Sequence, residues 1–379
     1  MTAPLEGLRV LELARILAGP WAGQTLADLG AEVIKVESPG GDDTRSWGPP
    51  FVDRDGETTA AYFHGCNRGK SSVVADLKNA EDRAHVVALA DEADVVIENF
   101  KLGGLQRFGL DYESLSARNP GLVYCSITGF GQTGPRASEP GYDLLIQAMS
   151  GIMDVTGAAD GPPTKMGVAF ADVFSGLYTV IAVQAALAER AVSGKGQHID
   201  IALFDCMLSV LANQAQNFFV TGRTPKRKGN AHPNLMPYEA YQAQDGHMVI
   251  ACGNDGQFAR LCDVLGLERG GQMDALATNA DRVRQRDVLY PILAERIAEW
   301  RRADLIAALT QAGVPAGPIN SVEEALNDPQ TEARGMVISP DGDKGLRSPI
   351  AFSRSTLDLE RGVPGHGATA LSEAGWRQR

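Results

Sequence analysis

Cysteine is sparse in this chain. Cys66, Cys125, Cys206, Cys252 and Cys262 are five among 379 residues, odd in number and scattered, and no two form a C-x-x-C pair. That excludes a disulfide framework and a cysteine-ligated zinc site as expectations, and it reads as reduced thiols in a cytoplasmic protein. Basic charge is also short: 35 Lys and Arg stand against 47 Asp and Glu, a net charge of −12. With no Lys/Arg stripe, nucleic acid is not an expected partner, although an acidic protein can still bind phosphates locally. The opening residues, M-T-A-P-L-E-G, have no basic or apolar region, so no signal peptide is expected. The longest apolar stretch, near 177–188, carries Gln184 and is shorter than the roughly 20 residues of a membrane span, so no membrane is expected either. His64, His85, His198, His232, His247 and His366 show no metal-ligand spacing, and no metal site is expected. The absence of a G-x-S-x-G elbow disfavours a serine hydrolase.

What is present suits a globular protein of two domains: 44% hydrophobic and 22% charged residues. Short apolar runs predict strands at 8–13, 31–37, 93–98, 122–127 and 197–202. Helices are predicted at 20–29, opened by Pro20 and closed by Gly30, at 78–90 and at 172–190. Strands alternating with helices imply an α/β fold with a mostly parallel, doubly wound sheet. The large domain is read as 1–202 and a linker helix with a basic tail as 203–229. Residues 230–322 read as a small α+β domain, with a hairpin turning at Asp245 and Gly246, helices near 257–265, 280–299 and 302–312, and a strand at 315–319. Residues 323–379 form a return linker and a C-terminal segment expected to pack on the large domain.

The most informative residue is Asp172, in G-V-A-F-A-D-V-F-S-G at 167–176, with an almost wholly apolar run after it. An acid at the start of a buried helix is either a cap satisfied by free backbone N–H groups or a group with a chemical role. The segment alone favours the cap. The G-F-G-Q-T-G at 129–134 matches a dinucleotide fingerprint, but Pro135 and the polar residues after it leave no helix to start there, and a backbone-rich loop over a ligand is the better reading. Gly253, Asn254, Asp255, Gly256 and Gln257 read first as a turn with a helix cap and second as a hinged lid. Arg45, and Asn99, Lys101 and Arg107, follow strand ends, where ligands sit in open α/β sheets. Phosphate binding and solvated surface charge both remain open for them.

Several stretches in order, across nearly the whole chain, resemble the family III CoA-transferases (CaiB/BaiF family). They are L-E-G-L-R-V-L-E-L from Leu5, A-G-P from Ala18, L-G-A-E-V-I-K-V-E from Leu29, E-N-F from Glu98, Y-C-S-I-T-G-F-G-Q-T-G-P at 124–135, G-Y-D at 141–143, F-A-D at 170–172 and G-K-G-Q at 194–197. The resemblance implies a Rossmann-like large domain in an interlocked-ring homodimer whose linkers, near 203–229 and 323–345, thread the partner. It implies acyl-CoA as substrate, with no tightly bound cofactor, and Asp172 as nucleophile. Asp172 would form an acyl anhydride and then an aspartyl-CoA thioester. A helix N-terminus would keep it ionised and give N–H groups to oxyanions. Ile16, Asn99, Phe100, Lys101 and Arg107 would hold CoA, with Arg45 compensating for Ser38 where formyl-CoA transferases have an arginine. Leu17, Ala18 and Tyr142 would flank the acyl group, and residues 253–257 would cover it.

The α-methylacyl-CoA racemases of the same family carry Gly-His-Asp where this chain has Gly141, Tyr142 and Asp143. A phenol is a poor α-carbon base at neutral pH, so the transferase reading is preferred and the racemase one is second. Residues 40–52, 253–258 and 314–320 look like the succinyl-CoA:dicarboxylate branch, which includes the glutarate and hydroxymethylglutarate transferases. A dicarboxylate needs a cation for its far end, from Arg15, Arg45 or Arg227. Leu17 in place of a glutamine, and a lid that is not all glycine, argue against oxalate or formyl-CoA as substrates.

Overall fold

The computed structural model describes residues 2–54, 56–268 and 270–378, with backbone only at Gln272. The chain divides into two compact units. One comprises residues 1–152, 165–221 and 329–379, and the other 153–164 and 222–328.

The larger unit is built on six strands: β1 Arg9–Glu12, β2 Glu32–Glu37, β3 Ser71–Val74, β4 Val95–Glu98, β5 Val123–Thr128 and β6 His198–Ala202. They form one sheet in the order β3-β2-β1-β4-β5-β6, and every neighbouring pair is parallel. Five strands fall where the apolar runs predict them. β3 was not expected, because S-S-V-V is too short and too polar to show a period. Val10, Val33, Val95 and Val123 are fully buried, as a sheet covered on both faces requires. Helices cross between the strands. Ala18–Asp28 starts before its proline and is followed, after Leu29, by Gly30, whose φ of 100° a side chain would strain. Ala80–Glu92 is capped by Asn79, which accepts from the Glu81 and Asp82 N–H groups.

Phe170–Ser193 is longer than its apolar run suggests, with enough length and apolar character for a membrane span. Its Ala171, Ser175, Gly176, Thr179, Val180, Val183 and Ala186 are nonetheless buried in the unit's core. The single helix expected over the linker is two, Leu203–Ser209 and Ala212–Thr221, because the backbone turns left-handed at Ala212 (φ 45°). The C-terminal segment returns to the sheet's helices: the Ser348 N–H donates to Asp28 Oδ2 at 3.0 Å, and Trp376 Nε1 to the Leu89 carbonyl at 3.0 Å.

The smaller unit holds the expected hairpin, β7 Tyr238–Ala243 and β8 Gly246–Ala251, with β9 Ala316–Pro318 antiparallel to β8. Met236, Tyr241, Met248, Ile250, Leu289 and Leu293 are part of its own core. The helix expected at 280–299 is split into Asn279–Arg284 and Arg286–Ala298, since Gln285 leaves the helical region (φ −107°, ψ 31°).

Candidate active site

Strand order reverses between β1 and β4, so the chain leaves their carboxyl ends in opposite directions and a crevice opens there. Arg15, Ile16, Leu17 and Ala18 follow β1, and Asn99, Phe100, Lys101 and Leu102 follow β4. Both groups line a crevice of about 150 Å³, together with Thr128, Gly129, Tyr142, Asp143, Asp172 and Leu203. The structure thus brings together Arg15, Ile16, Leu17, Ala18, Asn99, Phe100, Lys101, Tyr142 and Asp172, which lie up to 157 positions apart in sequence (Arg15 to Asp172).

The two walls are joined by side chain to backbone. Asn99 Oδ1 accepts the Arg15 N–H at 3.0 Å, and Asn99 Nδ2 donates to the Arg15 carbonyl at 2.7 Å. Its amide replaces the sheet bonds that stop where the strands diverge. Next to it, Ile16 has φ 72°, a rare state for a β-branched residue. Its N–H lies 3.3 Å from both Asp42 carboxylate oxygens.

Below this loop is a buried charge cluster. Glu12 Oε1 accepts from Lys35 Nζ and Lys70 Nζ, each at 3.0 Å, and Lys35 Nζ lies 2.9 Å from Asp42 Oδ2. Burial disfavours charge on Lys35 and on Asp42, but each offsets the other. Lys35, also facing Glu12, is held above its usual pKa, and Asp42, also bonded by Thr44, below it.

Asp172 lies at the third helical position of Phe170–Ser193 and is half-buried. It does not cap its helix. The cap comes from Asp143, whose Oδ1 accepts the Ala171 N–H at 2.8 Å. Asp143 Oδ2 accepts from Gln147 Nε2 at 2.7 Å, and the fully buried Gln147 accepts the Met166 N–H at 2.9 Å, fixing the approach to the helix. Burial first, and the Asp143 charge second, push the Asp172 carboxyl up to about 7. The expectation that the helix N-terminus keeps Asp172 ionised is therefore corrected: that end is occupied by another acid, whose charge opposes ionisation.

Other expectations separate from the crevice. Arg45 does not reach it. Its guanidinium bonds both Glu37 oxygens at 2.8 Å, Glu57 Oε1 at 3.0 Å and the Pro364 carbonyl, with the Phe63 ring 3.8 Å away. Largely buried and paired with two acids, it does not line the crevice, so its expected compensation for Ser38 finds no support in this geometry. Arg107 is exposed over the Phe108 ring and does not line the crevice. Gly253, Asn254, Asp255, Gly256 and Gln257 form the capped start of the Asp255–Val264 helix. Asn254 Oδ1 accepts the Gln257 N–H at 2.9 Å, Gln257 Oε1 accepts the Gly253 N–H at 2.7 Å, and Asp255 pairs with the buried Arg282 at 2.6 Å. The turn-and-cap reading describes this segment; a covering role for it rests on the family resemblance.

The sequence reading missed Asp143 as the cap, Gln147, and Glu98, which ends β4, accepts the Phe100 N–H at 2.7 Å and is pushed up to about 7 by burial. It also missed Tyr62, whose phenol is raised to about 12 by burial and by the nearby Asp172 charge. Asp143 and Glu98 each left a signal, as the acids of G-Y-D and E-N-F; Gln147 and Tyr62 left none.

The G-x-G-x-x-G at 129–134 is used for close approach. A Cβ at Gly129 would lie 2.4 Å from the Gly141 Cα, so neither glycine tolerates a side chain where the loop returns past the end of β5 to reach Tyr142 and Asp143. No helix starts in it.

The sequence profile of CoA-transferase family III matches residues 5–370. The succinate–glutarate CoA-transferase of Agrobacterium fabrum is 54% identical over 381 residues, covering 98% of this chain and 95% of its own. The acetyl-CoA:oxalate CoA-transferase of Acetobacter aceti is 42% identical, with 98% and 94% covered. A crystal structure of a CaiB/BaiF family protein from Brucella suis superposes with a TM-score of 0.89 at 60% identity, over 97% of each chain. This chain belongs to the family III CoA-transferases.

Proposed function

We propose that this enzyme moves CoA from succinyl-CoA to a dicarboxylic acid acceptor through covalent intermediates on Asp172. The observation that carries the reading is a half-buried carboxylate with no hydrogen-bond partner among the described residues, in a crevice at the sheet's crossover. An Asp172 oxygen attacks the thioester carbonyl, giving an acyl–aspartyl anhydride and CoA thiolate. The thiolate attacks the aspartyl carbonyl of the anhydride, giving the aspartyl-CoA thioester and releasing succinate. The acceptor carboxylate then attacks that thioester and frees the thiolate, which attacks the acceptor's acyl carbonyl and restores Asp172. Anhydride and thioester are close in transfer energy, so each step is small, as nucleophilic catalysis requires. A carboxylate poorly solvated in its resting state is also a stronger nucleophile than one held by several N–H groups.

Ile16, Asn99, Phe100 and Lys101 border the path assigned to CoA, and Leu17, Ala18 and Tyr142 the acyl group. Strand order β3-β2-β1-β4-β5-β6 supports the Rossmann-like reading. The acceptor is assigned from the relative that acts on glutarate; the relative named for oxalate keeps oxalate in the assay. The homodimer is assigned from the resemblance. It is supported by apolar side chains left outside the larger unit's core, Ile181, Phe219 and Val220 among them.

The test is to incubate the protein with succinyl-CoA and glutarate, hydroxymethylglutarate, malate, itaconate, mesaconate, acetate or oxalate, and to follow acyl-CoA species by mass spectrometry. A new dicarboxylate thioester is expected, with the rate reduced at least about 10³-fold in Asp172→Ala, as for loss of a covalent nucleophile. Full transfer in that variant would overturn the mechanism. No transfer with any acid, together with exchange of an α-hydrogen for deuterium, would favour the racemase reading instead.

A further inference from the structure

We propose that Arg15 receives the distal carboxylate of the dicarboxylate, and that Asp43 is the counter-ion it releases to do so. This rests on the dicarboxylate reading above. A dicarboxylate joined to Asp172 through one end keeps a charge at the other. That charge, near a poorly solvated crevice, calls for a cation with paired donors, the geometry of a guanidinium.

Of the three arginines that could serve, two are committed elsewhere. Arg45 is closed by Glu37, Glu57 and a carbonyl. Arg227 belongs to the smaller unit and is held there by the Asp154 carboxylate at 3.0 Å and by the Asp154 and Gly161 carbonyls. Arg15 lines the same crevice as Asp172. Its side chain is 59% exposed, and its ion pair among the described residues is a single contact from Nη1 to Asp43 Oδ2, itself 46% exposed. Exposed pairs of this kind contribute little and exchange readily. Replacing one carboxylate by another leaves the arginine compensated throughout, so binding does not require an isolated charge.

The surroundings fix the origin of both partners while leaving the guanidinium free to swing. Asn99 holds the Arg15 backbone at its N–H and its carbonyl, and Asp42 holds the strained Ile16 that follows. Asp43 begins the short turn Asp43–Ser46. The cap of that turn, Asp42, accepts the Thr44 N–H at 3.0 Å and is anchored by buried Lys35. A loop pinned this closely, at strain, positions a side chain for a ligand. Since donor and acceptor acyl groups occupy Asp172 in turn, one Arg15 subsite serves the far carboxylates of succinyl-CoA and of the acceptor alike. Lys101, the other cation of the crevice, is a compact charge suited to phosphate.

The experiment compares Arg15→Gln, Arg15→Lys, Asp43→Asn and Lys101→Ala with the parent enzyme, using succinyl-CoA against butyryl-CoA as donors and glutarate against valerate as acceptors. CoA affinity is measured by calorimetry as a check on folding. In Arg15→Gln the preference for succinyl over butyryl and for glutarate over valerate is expected to fall about 100-fold, the scale for losing a charged partner in a site built for it, with CoA affinity unchanged. Arg15→Lys recovers part of the preference. Asp43→Asn lowers KM for both dicarboxylates several-fold, and Lys101→Ala raises KM for both thioesters alike. An Arg15→Gln enzyme that binds CoA and keeps its preference, or loses charged and neutral substrates equally, overturns the proposal. A parent enzyme that transfers to no dicarboxylate overturns the underlying reading instead.

Discussion

Burial, and the Asp143 charge beside it, push the Asp172 carboxyl up to about 7, so the proposed nucleophile is partly protonated at neutral pH. Transfer rates at saturating CoA thioester should rise with pH through about 7. Asp143→Asn keeps an acceptor for the Ala171 N–H but removes the opposing charge, so the acidic limb should move to lower pH; an unmoved limb would detach it from Asp172. The stability consequence has a definite sign. An acid whose folded pKa lies above its unfolded value destabilises the folded state progressively as pH rises from about 4, and fully above about 7. Asp172→Asn should therefore raise Tm more at pH 8 than at pH 5 while abolishing transfer, measured by thermal denaturation of both proteins. The sequence pointed to Asp172, because an acid in an apolar run is conspicuous. It did not disclose that Asp143 takes the helix cap, since 28 positions separate Asp143 from Ala171 and only packing brings them to 2.8 Å.

Two helices bring residues to the crevice, Ala18–Asp28 with Ala18 and Phe170–Ser193 with Asp172, and they meet at Gly176. A Cβ there would lie 2.8 Å from the Ala18 carbonyl oxygen and 3.0 Å from the Trp21 ring. Gly176→Ala should cost about 1–3 kcal/mol in denaturant unfolding, as overpacking does, and reduce kcat by separating Ala18 from Asp172. A fully active, equally stable variant would show that this contact does not set the crevice. At this scale the β-branched strands and the Pro20/Gly30-bounded helix were legible from local pattern. The short, polar β3 strand shows no period, and the breaks at Ala212 and Gln285 were not legible because backbone angles at single residues decide them.

For the whole molecule, a 24-residue helix keeps Ile181 exposed (62%), and the following helices leave Phe219 and Val220 more so (74% and 75%). Such side chains are costly in water when grouped, and a second copy of the chain is the proposed cover. Sedimentation equilibrium should give about twice the 40.3 kDa chain mass, and a monomer at micromolar concentration would reject the dimer. Acid should also weaken the fold. Glu37 and Asp42 are held below their usual pKa because, although burial opposes their charge, Arg45 and Lys35 outweigh it. Their stabilisation is present above about pH 4 and lost as pH falls further.

The sequence by itself determined the α/β alternation and the family, and it singled out Asp172, because those depend on residue types in local order. The tertiary structure decided which charges reach the crevice. Arg15, Arg45 and Arg227 are equivalent as letters, and only the packed chain shows that Arg45 and Arg227 are bound to acids and carbonyls elsewhere while Arg15, paired with exposed Asp43, lines the same crevice as Asp172. The reason is physical: a guanidinium's availability depends on its neighbours in space, and those are supplied by strands and turns far away in the chain.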